Sequence, residues 1–186
     1  MFGQCGGGAA FNEGAMVPVQ ELDGLRVVEV DGGYCHTILR TEDGRVFTMG
    51  CGEDGQRGDG RFDEDRSPGE VSEVRLPCRR CSGVSAGLNH SLALCDDGHV
   101  FAWGSNEMGQ LGVPGDTNSS VPVAVPGVVG ARAISAGSTH SAVIDCGNRL
   151  WMFGSNESQQ LLTGDDRMVG RPVEVKPPPP APTGNQ

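Results

Sequence analysis

The chain has 186 residues, 30 of them glycine, and a formal net charge of −10. That length suffices for one domain with a real core. The acidic balance argues against direct nucleic-acid binding, since phosphate contacts need a basic surface, and it suits a basic protein partner.

No apolar run is long enough to cross a membrane, and the start, Met1-Phe2-Gly3-Gln4-Cys5-Gly6, has neither the basic region nor the apolar stretch of a secretory signal. The expectation is a cytoplasmic or nuclear protein that is not secreted, with its seven cysteines held as reduced thiols.

In chain order, Gly3-Gln4-Cys5-Gly6 comes first and matches Gly109-Gln110-Leu111-Gly112, so the chain starts within a polar loop of some repeated unit. Val30-Asp31-Gly32-Gly33 and Thr37-Ile38-Leu39 predict two short strands around Gly33-Tyr34-Cys35-His36. Apolar runs this short, bounded by turn residues, are strands and not helices. Glu42-Asp43-Gly44 predicts a hairpin turn, because Asp-Gly supplies positive φ. The returning strand Arg45-Val46-Phe47-Thr48-Met49 ends at Gly50 and enters the polar loop Cys51-Gly52-Glu53-Asp54-Gly55-Gln56.

The same wording then returns twice. Gly87-Leu88-Asn89-His90 and Gly137-Ser138-Thr139-His140 place histidines 54 and then 50 residues further on, each followed fourteen positions later by a glycine, as His36 is by Gly50. Hairpin turns recur at Asp96-Asp97-Gly98 and, with reversed chemistry, at Cys146-Gly147-Asn148. Polar loops recur at Ser105-Asn106-Glu107-Met108-Gly109-Gln110 and Ser155-Asn156-Glu157-Ser158-Gln159-Gln160. Thirteen positions after Gly55, Gly109 and Gln159 stand Pro68, Pro122 and Pro172, which predict edge strands. A period near 50 residues means a repeat architecture, in which residues recurring at fixed positions serve the fold first. Repeat copies fall near residues 2–44, 45–98 and 99–148, with a partial copy at 149–176. A proline-rich tail at 177–186 should adopt polyproline II, as a linker or as a ligand for a proline-recognising domain.

These residues resemble the repeats of the regulator of chromosome condensation family: Gly-x-x-His, an apolar strand, Asp-Gly, an aromatic strand closing in Trp-Gly, then Asn and Gly-Gln-Leu-Gly. The middle copy, Ala86 to Gly112, matches nearly throughout. The first departs at Met49 and Arg57, the third at Phe153, Gln159 and Leu162. The resemblance implies an all-β fold of four-stranded antiparallel propeller blades. A full seven-bladed ring needs about 350 residues, so the expectation here is an incomplete, half propeller. A fragment, an open stack with its own caps, and two copies completing one ring all remain open. Family resemblance also raises guanine-nucleotide exchange on a small GTPase as the alternative to a plain interaction module.

No catalytic, cofactor or metal constellation is legible. His36, His90 and His140 read as one structural slot per blade, bonded to nearby backbone, and not as a metal set. Cys78-Arg79-Arg80-Cys81 has ligand spacing but no second pair. Arg57-Gly58-Asp59 reads as the end of a repeat loop. Trp103 and Trp151 stand at alternate positions of returning strands, where packing explains them. Propeller loops vary on a rigid frame and carry binding residues. The expected partner contacts are therefore Glu53, Asp54, Asn106, Glu107, Asn156 and Glu157, with Asp63, Glu64 and Asp65 in an acidic loop. The expected partner is a protein, basic or a small GTPase, and self-association is a further expectation.

Overall fold

The computed structural model describes residues 18–62, 70–164 and 167–176. Among them are a short 3-10 turn at Gln20–Leu22 and twelve strands in three four-stranded antiparallel sheets. The first sheet holds β1 (Val27–Gly32), β2 (His36–Thr41), β3 (Val46–Gly50) and β4 (Ser72–Val74). The second holds β5 (Cys81–Ala86), β6 (His90–Cys95), β7 (Val100–Gly104) and β8 (Ser119–Ala124). The third holds β9 (Ala131–Ala136), β10 (His140–Asp145), β11 (Leu150–Gly154) and β12 (Val169–Val175). Each sheet is a meander in which sequence neighbours pair. The all-β, incomplete propeller expected from the sequence is what the chain forms. Its sheets are out of phase with the sequence copies: the copies at 45–98 and 99–148 each start at a third strand and end after the next sheet's second.

The hairpin turns follow their predicted chemistry. Gly44 and Gly98 have φ near 84° and 82°, and Asn148 takes the same left-handed place at 60°. Asparagine tolerates that region better than most side chains, which explains the reversed turn sequence.

Alternation along β7 shows how the middle blade is held. Phe101 and Trp103 face the first sheet, packing with Ile38, Val46 and Val74. Val100 and Ala102 face the third sheet, packing with Val143 and Phe153. Successive strand residues point to opposite faces, so a strand covered on both sides is buried along its whole length, as β7 is.

Polar relays run across both seams beside these clusters. His36 Nε2 lies 3.0 Å from Ser91 Oγ, which donates to the Gln56 carbonyl at 3.0 Å. His90 Nε2 lies 2.9 Å from Ser141 Oγ, which donates to the Gln110 carbonyl at 2.8 Å. Each serine gives its single proton to a carbonyl, so the histidine must carry its proton on Nε2 and donate it. This corrects the expected bond to nearby backbone: the histidine partner is a side chain of the next blade. Burial pushes His36 down to about 4 and His90 to about 3. A further rung links the innermost strands, where Asp31 Oδ2 accepts from Ser85 Oγ and Ala86 N, and Ser85 Oγ accepts from Ala136 N.

The third loop departs from the pattern for a physical reason. A Cβ on Gly109 would meet Gly170 Cα of the next blade at 2.8 Å, and one on Gly112 would meet the Phe153 ring at 2.9 Å. Gln159 and Leu162 occupy those places in the third loop, at φ 57° and 55°, with both side chains exposed.

One cysteine expectation is overturned. Cys78 and Cys95 form a disulfide, while Cys35, Cys51, Cys81 and Cys146 are free. The turn joining β4 to β5 brings Cys78 against the end of β6, where Cys95 also faces Cys81 in register. The bond closes a loop of sequence separation 17 and ties the first blade's exit to the second blade. Cys95→Ser should cost about 2–4 kcal/mol, read as a lower denaturation midpoint. Alkylation without reductant should spare Cys78 and Cys95; labelling of both would refute the pairing.

Candidate interaction face

Meander connectivity divides the connections between two ends of the stack. Turns 33–35, 87–89 and 137–139 and the loops after β3, β7 and β11 lie at one end; the hairpin turns and blade linkers lie at the other. Loops and turns of the first end are laced together. Cys51 N donates to Cys35 O, Ser105 N to Asn89 O, and Ser155 N to Thr139 O, each at 2.8 Å.

The expected contact residues separate by burial. Glu53, Glu107 and Glu157 are exposed at equivalent places in the three loops, and Asp54 is half-buried beside the first. Asn106 and Asn156 are fully buried. Asn106 accepts from Leu111 N and donates to Gly115 O, and Asn156 accepts from Leu161 N and donates to Thr163 Oγ1. Their amides brace their own loops, which corrects the expectation that they touch a partner. Asp63, Glu64 and Asp65 lie outside the described residues.

The base of that acidic loop is described. Arg57, in the place of the buried Leu111 and Leu161, is itself buried; its Nη2 meets Asp59 Oδ2 at 2.6 Å and Ser72 Oγ at 2.8 Å. Arg61 bridges Asp59 and Glu70 at 3.1 and 3.0 Å. The Arg57-Gly58-Asp59 tripeptide is thus an inward ion pair and not a displayed motif. Trp103 is buried and donates to the Gln56 carbonyl at 2.9 Å, and Trp151 donates to Asp145 under the Arg149 guanidinium, so both tryptophans pack as expected.

The turns and the loop stretches beside them carry charge of one sign, while further along the loops after β3 and β11 Arg61 and Arg167 are exposed. Among residues 33–35, 87–89, 137–139, 51–56, 105–110 and 155–160, the charged side chains are Glu53, Asp54, Glu107 and Glu157. Asp54 takes hydrogen bonds from Asn89 and Asn118 across the seam, at 2.8 and 3.0 Å. Burial raises its carboxyl above the usual range, and the nearby Glu107 and Glu53 add to the rise against those two bonds. No group of His, Cys, Asp and Glu with metal-site geometry occurs among the described residues.

Two concavities flank the seams. The larger, about 620 Å³, lies by β4 and β8 and mixes Asp59, Glu73 and Arg75 with Val121 and Pro122. The smaller, about 310 Å³, lies between the three glycine turns, with Tyr34, Leu88 and Ser138 at equivalent places on its rim.

Models of the regulator of chromosome condensation repeat match residues 43–94 and 97–144, and in a second form 27–56, 81–110 and 131–160. The chain belongs to this repeat family. Its relatives include a Caenorhabditis elegans homologue of the X-linked retinitis pigmentosa GTPase regulator, 44% identical over 92 residues, half of this chain and 6% of that protein. Another is the Danio rerio E3 ubiquitin-protein ligase MYCBP2, 41% identical over 90 residues, 48% of this chain and 2% of that protein. Among solved structures, Prp20p from Saccharomyces cerevisiae, described with its binding properties to Gsp1p and histones, superposes with a TM-score of 0.75 at 21% identity. That match covers 82% of this chain and 39% of Prp20p, and it shows the family's fold.

Proposed function

We propose that this chain is a protein–protein interaction module that docks a partner on its laced loop face and performs no catalysis of its own. The observation that carries the reading is the single-signed row Glu53, Asp54, Glu107 and Glu157, presented on loops fixed by buried asparagines and cross-blade bonds. Fixed loops lose little entropy on docking, and a one-signed surface speeds encounter with an opposite charge. Relatives whose names describe a GTPase regulator and a ubiquitin ligase share these repeats, which suits a binding part used in several settings.

Regulation of a small GTPase is the second reading, favoured by the first relative's name and by the Gsp1p binding described for Prp20p. One assay separates the two. The chain is added to a small GTPase loaded with a fluorescent guanine nucleotide, and affinity capture is run in parallel. The module reading expects capture of basic proteins with unchanged nucleotide release; accelerated release would overturn it in favour of exchange.

A cytoplasmic or nuclear setting accompanies this reading. The Cys78–Cys95 bond weighs against it, since disulfides are rare in reducing compartments. No helix among the described residues is long and apolar enough to cross a membrane.

A further inference from the structure

We propose that the hollow between the three glycine turns, together with the acidic loops beside it, takes a short basic peptide segment carrying one apolar side chain. This rests on the interaction-module reading and names the chemistry of its partner. The apolar side chain would seat between Tyr34 and Leu88, and neighbouring lysines or arginines would reach Glu53, Asp54, Glu107 and Glu157.

Three independent observations support this. First, the rim of the hollow sets two exposed apolar side chains among polar loops: Tyr34 is 67% exposed and Leu88 40%, over a floor that is largely polar backbone. Its floor is glycine backbone of necessity, because a Cβ on Gly33, Gly87 or Gly137 would strike the histidine ring beneath at 2.3, 2.1 or 2.2 Å. The floor is therefore kept clear of side chains by the seam relays themselves.

Second, the hollow is rigid. Tyr34 N donates to Leu88 O at 3.1 Å and Leu88 N to Ser138 O at 2.9 Å, fixing the three turns as successive rungs. A surface whose backbone is already fixed loses little entropy when a peptide docks on it.

Third, carboxylates crowd beside it. Asp54 is flanked by Glu53 on its own loop and Glu107 on the next, and the amides that hold it, Asn89 and Asn118, carry no charge. Like charges held together repel, and an approaching cation relieves the repulsion. Asn89 adjoins Leu88, so the same turn presents an apolar rim residue and the amide that holds Asp54. The larger groove by β4 and β8 lacks this pairing, because Arg75 stands among its acids.

The test is an NMR titration of the isotope-labelled 186-residue chain with three synthetic peptides of about ten residues. One is rich in lysine and arginine with a central phenylalanine, one has alanine at that centre, and one is rich in glutamate with the phenylalanine kept. The first peptide should shift the amides of Tyr34, Leu88, Ser138, Glu53 and Glu107. Its affinity should fall about tenfold in the E53Q/E107Q variant and again at raised ionic strength. Leu88→Ala and the alanine-centred peptide should each weaken binding. Equal binding by the acidic peptide, or shifts confined to turns 42–45 and 96–99, would overturn the proposal. The same shifts from calcium chloride alone would overturn it in favour of a bare cation site. Protein capture that persists with no binding of the basic peptide would discard this partner chemistry while leaving the module reading in place.

Discussion

Gly87→Val is expected to break the seam between the second and third blades, at a cost of about 3 kcal/mol or more. The reason is steric. A Cβ at Gly87 would lie 2.1 Å from His90 Cε1, 2.3 Å from His90 Nδ1 and 2.6 Å from the Gly137 carbonyl oxygen. The ring cannot yield without giving up Ser141, and the carbonyl belongs to the backbone of the next blade. Gly87 does not have a positive φ, so backbone strain plays no part. Gly32 supplies the control: its φ is also ordinary and nothing lies within 4 Å of an added Cβ. Gly32→Ala should leave stability unchanged or raise it by a few tenths of a kcal/mol or more. Urea denaturation of both variants checks the pair, and equal midpoints would refute the seam geometry.

The second large effect is acid sensitivity set by the buried histidines. His36 and His90 are held near 4 and 3, below their ordinary 6.5, chiefly by burial. Between those limits the unfolded chain binds protons that the folded chain refuses. Stability is therefore intact above pH about 6.5 and falls as pH drops toward 4. The loss summed over both histidines is on the order of 5 kcal/mol. It should be read as a urea midpoint that starts to fall near pH 6.5, above the ordinary carboxylate range. The double variant His36→Gln with His90→Gln should start less stable, having weakened both relays, but show a flatter pH profile. A wild-type midpoint constant from pH 7 to 4 would contradict the neutral, Nε2-protonated assignment.

Much of this fold was legible because its units repeat. The Gly-x-x-His turns, the Asp-Gly hairpins and the glycine ending each third strand mark three copies in register, and all three blades form as that spacing implies. The seam relays were not read, although a sign of them was present: a hydroxyl residue follows each of the three repeat histidines, as Thr37, Ser91 and Ser141. Each such serine bonds a histidine more than 50 positions away, and local patterns carry no record of that distance. The disulfide escaped for the opposite reason. Cys95 stands where Thr41 and Asp145 stand in the other blades, and Cys78 has no counterpart at all, so periodicity offered no guide.

The candidate face was half legible. Asn106 and Asn156 recur at a fixed place, and the rule that recurring residues serve the fold applies to them: they are buried braces. Glu53, Glu107 and Glu157 recur as well, yet they are exposed, so periodicity alone cannot separate a structural position from a displayed one. Tyr34, Leu88 and Ser138 were passed over because they fill the variable positions of Gly-x-x-His. Only the folded backbone shows that those variable positions converge around one hollow.

On the proposed reading, the loop end of the stack, and not the hairpin end, meets the partner. It is tested most directly by charge reversal on each end separately. One variant carries E53K, E107K and E157K; the other carries R45E, R79E and R149E at the hairpin turns and the first linker. Melting curves confirm that both fold, and capture of basic proteins is compared with the unaltered chain. The account predicts that the first variant loses capture and the second keeps it. Loss in the second with retention in the first would contradict it.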